Sequence, residues 1–94
     1  MATWIKQGVY GRLRCEAAEG LRKIERFHAL RGKDLFITSI CEGTHSAGSL
    51  HPMGLAWDMR PCKEISIKDI KKELGKDFDV VKESNHIHVE YDPK

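Results

Sequence analysis

This chain of 94 residues has no C-x-x-C pair, and its three cysteines, Cys15, Cys41 and Cys62, are odd in number. A fold stapled by disulfides is therefore not expected, and a reducing compartment suits the composition better. Cys41 and Cys62 also match no common Cys/His zinc spacing with His45 or His51, so they read as small buried hydrophobes. Long apolar runs are missing, which argues against a membrane-spanning helix. The first residues, Met1 to Gly8, lack the apolar core of a secretory leader. Synthesis in the cytoplasm without a signal peptide is expected, and action outside the cell would require release by another agent. An excess of charge of one sign is missing too. Sixteen Lys and Arg face fourteen Asp and Glu, for a net +2, and they are scattered along the chain. No nucleic-acid or membrane footprint results. There is no repeat, linker or low-complexity tract. The length suits one domain, residues 1–94, and is too short for two.

What is present is periodic. Leu13, Ala17, Leu21, Ile24, Phe27 and Leu30 recur at spacings of three and four, predicting an amphipathic helix over 11–31 with Gly32 as its stop. Gly20 is a weak point inside it, and His28 reads as a helix-surface residue. Residues 34–40 (DLFITSI) read as a buried strand, 41–50 as a loop, and 55–59 as a second strand ended by Pro61. Ser66 with Asp69 resembles a capping box opening a short helix that Gly75 stops. Strands over 78–82 and 86–91 follow, joined by a tight Glu83-Ser84-Asn85 connection. This order predicts an α+β fold: a small, mainly antiparallel sheet with helices packed against it.

The chemistry sits in two segments. The first is Ser49-Leu50-His51-Pro52-Met53-Gly54-Leu55-Ala56-Trp57-Asp58, an S-x-H-x-x-G-x-A-x-D block. The second is Glu83-Ser84-Asn85-His86-Ile87-His88, which ends in H-x-H. Alternate side chains of a strand share a face. His86 and His88 therefore point one way, and Ile87, Val89 and Tyr91 the other. If Leu55, Trp57 and Met59 face the core, Ala56 and Asp58 lie on the histidine side. His51, Asp58 and His88 then supply two imidazoles and a carboxylate to one divalent ion. Three protein ligands leave a fourth position for water, the mark of a catalytic rather than a structural zinc site. Zinc lowers the pKa of such a water to roughly 7. Glu83 is placed to take its proton, and His86 to steady an oxyanion or shuttle protons.

The two segments together resemble the zinc D-Ala-D-Ala carboxypeptidase and L,D-endopeptidase family. It comprises bacterial cell-wall peptidases and phage endolysins, and shares its fold with the hedgehog signalling domain. The resemblance implies a hedgehog/DD-peptidase-like zinc fold, one Zn2+ on His51, Asp58 and His88, and Glu83 as catalytic base with His86 assisting. It implies a hydrolase of peptidoglycan stem peptides, plausibly a phage or prophage lysis enzyme, acting as a monomer without nucleic-acid or membrane partners. Thr38-Ser39 after an apolar strand looks like the family's T-S-G-x-R segment. The Arg expected next, which holds a substrate carboxylate or carbonyl, is absent, since the chain reads Ile40-Cys41-Glu42. That departure favours the alternative, a zinc-containing binding or structural module without turnover.

Overall fold

The apolar stripe of the first helix needs a partner surface, and a twisted sheet supplies it. The computed structural model describes residues 3–9, 12–40 and 54–93. Within them the order is β1 (Thr3–Ile5), α1 (Cys15–Leu30), β2 (Leu35–Ser39), β3 (Ala56–Met59), α2 (Ile67–Leu74), β4 (Phe78–Lys82) and β5 (Ile87–Tyr91). The strands form one sheet in the order β1-β2-β3-β5-β4. β1 pairs with β2 in parallel, and the other neighbours are antiparallel. The fold is thus a small α+β domain with a mixed, mostly antiparallel sheet and two helices packed against it. No helix among the described residues is long and apolar enough to cross a membrane.

The core lies between the helices and one sheet face. Ala17, Ile24 and Phe27 of α1 and Ile70 and Leu74 of α2 meet Leu35, Ile37, Trp57, Met59, Val80, Ile87 and Val89 from the strands. Trp57, Met59 and Val89 are fully buried, and each such side chain contributes about 1.5–3 kcal/mol on leaving water. The predicted alternation of β3 and β5 holds: Trp57, Met59, Ile87 and Val89 are buried against the helices, and Asp58 and His88 turn to the opposite face, as does the small, buried Ala56. Ser66 caps α2, its Oγ accepting the Asp69 N–H at 3.1 Å.

Four expectations need correction. α1 begins at Cys15 rather than Gly11, because Arg14 is extended and its N–H is taken by the Gly54 carbonyl at 2.7 Å. Leu30 does not join the stripe and is 78% exposed, since it lies in the last turn where the chain departs at Gly32. His28 is buried, with Nδ1 3.0 Å from the Ile24 carbonyl. Burial pushes its imidazole below the ordinary histidine value, so the neutral ring donates Nδ1–H to that carbonyl. Gly20 is more than a weak point in the helix: it leaves room for the tip of the Phe78 ring, which would lie 2.5 Å from a Cβ there. The strand β1 is an addition that the sequence pattern did not announce. The segment predicted as a loop over 41–50 falls outside the described residues.

Candidate metal centre

β3 and β5 run antiparallel with Asp58 directly opposite His88. Directly opposed residues share a sheet face with their Cβ atoms about 5 Å apart. The face they share is the one the helices leave uncovered. The His88 Nδ1 lies 2.9 Å from Asp58 Oδ1, and its Nε2 lies 2.7 Å from Glu90 Oε1. His86, one step along the same face, brings Nε2 to 3.8 Å from Asp58 Oδ2. Its Nδ1 is 2.8 Å from the side-chain oxygen of Asn85. Three sequence-predicted residues, Asp58, His86 and His88, therefore converge. His51, the remaining predicted ligand, lies outside the described residues.

Both nitrogens of His88 face carboxylates, so in the metal-free protein the ring holds two protons. The hydrogen bond that His88 donates to Asp58 is the largest cause and the one to Glu90 adds to it, with burial opposing; the balance lifts the pKa to about 9. The two carboxylates thus favour positive charge between them, which the second ring proton supplies. A divalent ion bound to His88 would have to displace that proton, so its binding would strengthen with pH.

The sign of the stability effect follows. A folded-state pKa raised above the unfolded value of about 6.5 gives stability that is complete below pH 6.5 and fades as pH climbs through 9. Chelator-treated protein is expected to lose about 2 kcal/mol of unfolding free energy between pH 6.5 and 9.5, after discounting for the partly solvated ring. His88→Gln removes this slope. Urea midpoints of parent and variant across that range measure the difference; parallel curves would show that His88 is not the titrating group.

Glu83 sits where β4 turns into β5. Its N–H donates to the His86 carbonyl at 2.8 Å, extending the ladder by one pair beyond Lys82 and Ile87. By strand alternation it falls on the His86 and His88 face, and it is solvent-exposed. Beside Asp58 and His86 opens a cleft of about 470 Å³. Thr38 and Ser39 line its far wall, with Lys6 and Arg60. Thr38-Ser39 thus faces the same space as the aspartate and histidine. A larger depression, about 610 Å³, runs along the outer edge between α2 and β4, but contains neither imidazole.

The structure also contains a cluster the sequence reading missed. Asp79, Glu90 and Asp92 each bring a carboxylate oxygen within 4.8 Å of the other two. Such a set is able in principle to hold a divalent cation. The signal was available: the short hairpin turn sets Asp79 opposite Glu90. Through His88 and Glu90 this cluster is continuous with Asp58. No family model matches the chain, and neither a curated protein nor a solved structure does.

Proposed function

We propose that this domain is a zinc-dependent peptidase of the D-Ala-D-Ala carboxypeptidase and L,D-endopeptidase kind, hydrolysing peptide bonds of peptidoglycan stem peptides. One observation carries the reading. Asp58 and His88, thirty residues apart, meet at 2.9 Å on an open sheet face beside a cleft, with the H-x-x-G-x-A-x-D and H-x-H segments supplying them. The donor chemistry fits zinc: one carboxylate and one imidazole are in contact, and a second imidazole, His51, belongs to the same block. The charge balance fits as well, since two carboxylates flank His88 and raise its pKa.

In this reading His51, Asp58 and His88 hold the ion. When bound, zinc supplies a Lewis acid that acidifies water and draws charge from a carbonyl. The remaining steps belong to side chains. Glu83, at the mouth of the hairpin, takes a proton from the attacking water and returns it to the leaving amine. The contact of His86 Nδ1 with the Asn85 side-chain oxygen fixes the ring, and its Nε2 edge faces the side of the cleft where the carbonyl oxygen gains charge. Thr38 and Ser39 offer hydroxyls to the substrate backbone. The enzyme acts as a monomer at the wall after cytoplasmic synthesis, as in a phage or prophage lysis system.

The acidic cluster favours a second reading, a cation-binding module without turnover. Three carboxylates with no nitrogen or sulfur suit calcium, magnesium or manganese better than zinc. Two measurements decide. Zinc content is determined on protein purified without added metal, and purified peptidoglycans of differing cross-link chemistry are assayed for new amino termini. The peptidase reading expects one zinc per chain, fresh amino termini, and loss of hydrolysis with retained zinc in Glu83→Gln. Zinc without hydrolysis of any wall leaves the module; binding only of calcium or magnesium, lost in Asp79→Asn, places the cation at the acidic cluster instead.

A further inference from the structure

Beyond Asp58 the cleft changes character. Among the described residues, no carboxylate pairs with either Lys6 or Arg60, the two cations on its far wall. Arg60 is nevertheless held in place: its guanidinium lies over the Phe36 ring, 5.0 Å from the centroid. The Arg60 N–H donates to the Phe36 carbonyl at 3.0 Å, which fixes the backbone below it. Lys6 is tied at the end of β1 by its own N–H to the Ile37 carbonyl at 2.9 Å. A second depression of about 200 Å³ shares Lys6, Thr38 and Arg60 with the first and adds Trp4 and Phe36. Trp4 is 54% and Phe36 36% exposed, and they pair across β1 and β2. Lys6 and Arg60 therefore stand at the junction of a polar cleft leading to Asp58 and an aromatic shelf leading away from it.

We propose that this junction is a specificity site for peptides ending in an apolar residue: Lys6 and Arg60 hold the terminal carboxylate, and Trp4 and Phe36 receive the last side chain. Two cations that no carboxylate among the described residues pairs with, one of them preorganised on an aromatic ring, match a carboxylate. The exposed rings match an apolar group carried on the adjacent carbon. The preceding peptide bond then lies on the Thr38–Asp58 side of the junction. The placement of that bond rests on the peptidase reading; recognition of the terminus does not.

The probes are N-acetyl-Gly-Gly-Phe, its C-terminal amide, and N-acetyl-Gly-Gly-Gly, titrated calorimetrically with the zinc-loaded and the chelator-treated protein. The free acid of the Phe peptide is expected to bind at least about tenfold more tightly than either the amide or the all-glycine peptide, as loss of one charge-assisted contact implies. Arg60→Gln removes the preference for acid over amide, and Trp4→Ala the preference for Phe over Gly. Both residues are exposed, and circular dichroism checks that each variant folds. Equal binding of acid and amide, or an unchanged preference in Arg60→Gln, overturns the proposal. Carboxylate-selective binding without hydrolysis of any peptide leaves it standing and removes the peptidase. Hydrolysis with a KM that ignores Arg60 and Trp4 does the reverse.

Discussion

Asp58→Asn and His88→Gln are each expected to lower zinc affinity by at least about a hundredfold and to reduce peptide hydrolysis by at least the same factor. The scale comes from the weaker case: removing a group that merely orients a zinc ligand costs about 10–100-fold, and these side chains are proposed as ligands themselves. The variants are also expected to fold. Asparagine keeps the shape of Asp58, and glutamine keeps a donor facing Asp58 or Glu90. Two comparisons give the experiment its resolution. Glu90→Gln leaves the ligand set intact but exchanges the charged acceptor at 2.7 Å from His88 Nε2, so its loss belongs in the smaller, orienting range. His86→Gln lies further out, with Nε2 at 3.8 Å from Asp58, and is expected to cut turnover more than zinc content. Competition against a chromogenic chelator at pH 7.5 measures the affinities. Parent-like zinc binding by both Asp58→Asn and His88→Gln would remove this pair from the metal centre, whatever the hydrolysis assay shows.

The pairing behind that prediction was readable from strand alternation. Once Ile87 and Val89 are assigned to the core, His86 and His88 have nowhere to go but the open face, and Trp57 and Met59 do the same for Asp58. That logic holds because one face is buried, where a one-residue slip would invert every side chain. The strand β1 had no such constraint. It is three residues long, at an edge, with Trp4 and Ile5 exposed, and what places it is distant. It pairs with β2, and the Thr3 hydroxyl donates to Glu25 of α1 at 2.6 Å. Local pattern carries no trace of either contact.

The misplaced histidine teaches something different. His28 is four residues beyond Ile24 and next to Phe27, so helical spacing already put it at the rim of the apolar stripe. Its polar type argues for the surface, yet burial costs a neutral imidazole little once Nδ1–H reaches the Ile24 carbonyl. The acidic cluster is not legible within any single strand. Asp79 and Glu90 become neighbours only when the register of β4 and β5 is counted outward from the turn.

Gly54→Ala is expected to destabilise the domain by about 3 kcal/mol, through two effects of similar size. Gly54 has φ +73°, a region costing other L-residues about 1–2 kcal/mol. An added Cβ would also sit 2.5 Å from the Arg12 carbonyl oxygen, backbone that cannot swing aside, and such overpacking costs about 1–3 kcal/mol. For a chain of this length, whose whole stability is on the order of 5–14 kcal/mol, that is a large share. The consequence reaches the candidate site, because the Gly54 carbonyl accepts the Arg14 N–H at 2.7 Å, locking the start of α1 to the start of the segment that becomes β3. Relief of the Arg12 contact therefore requires either α1 or the approach to Ala56 and Asp58 to move. A lowered melting temperature, about 15 °C below the parent, is the first readout. The second is zinc affinity measured well below both midpoints, where a shifted β3 weakens binding even in fully folded protein. Gly32→Ala is the control: it shares the positive φ, at +70°, but nothing lies within 4 Å of the added Cβ, so it should show only the conformational part of the loss and leave zinc binding untouched. Equal destabilisation by the two substitutions would mean that the close approach to Arg12 contributes nothing, and that the glycine of the H-x-x-G-x-A-x-D block serves its turn alone.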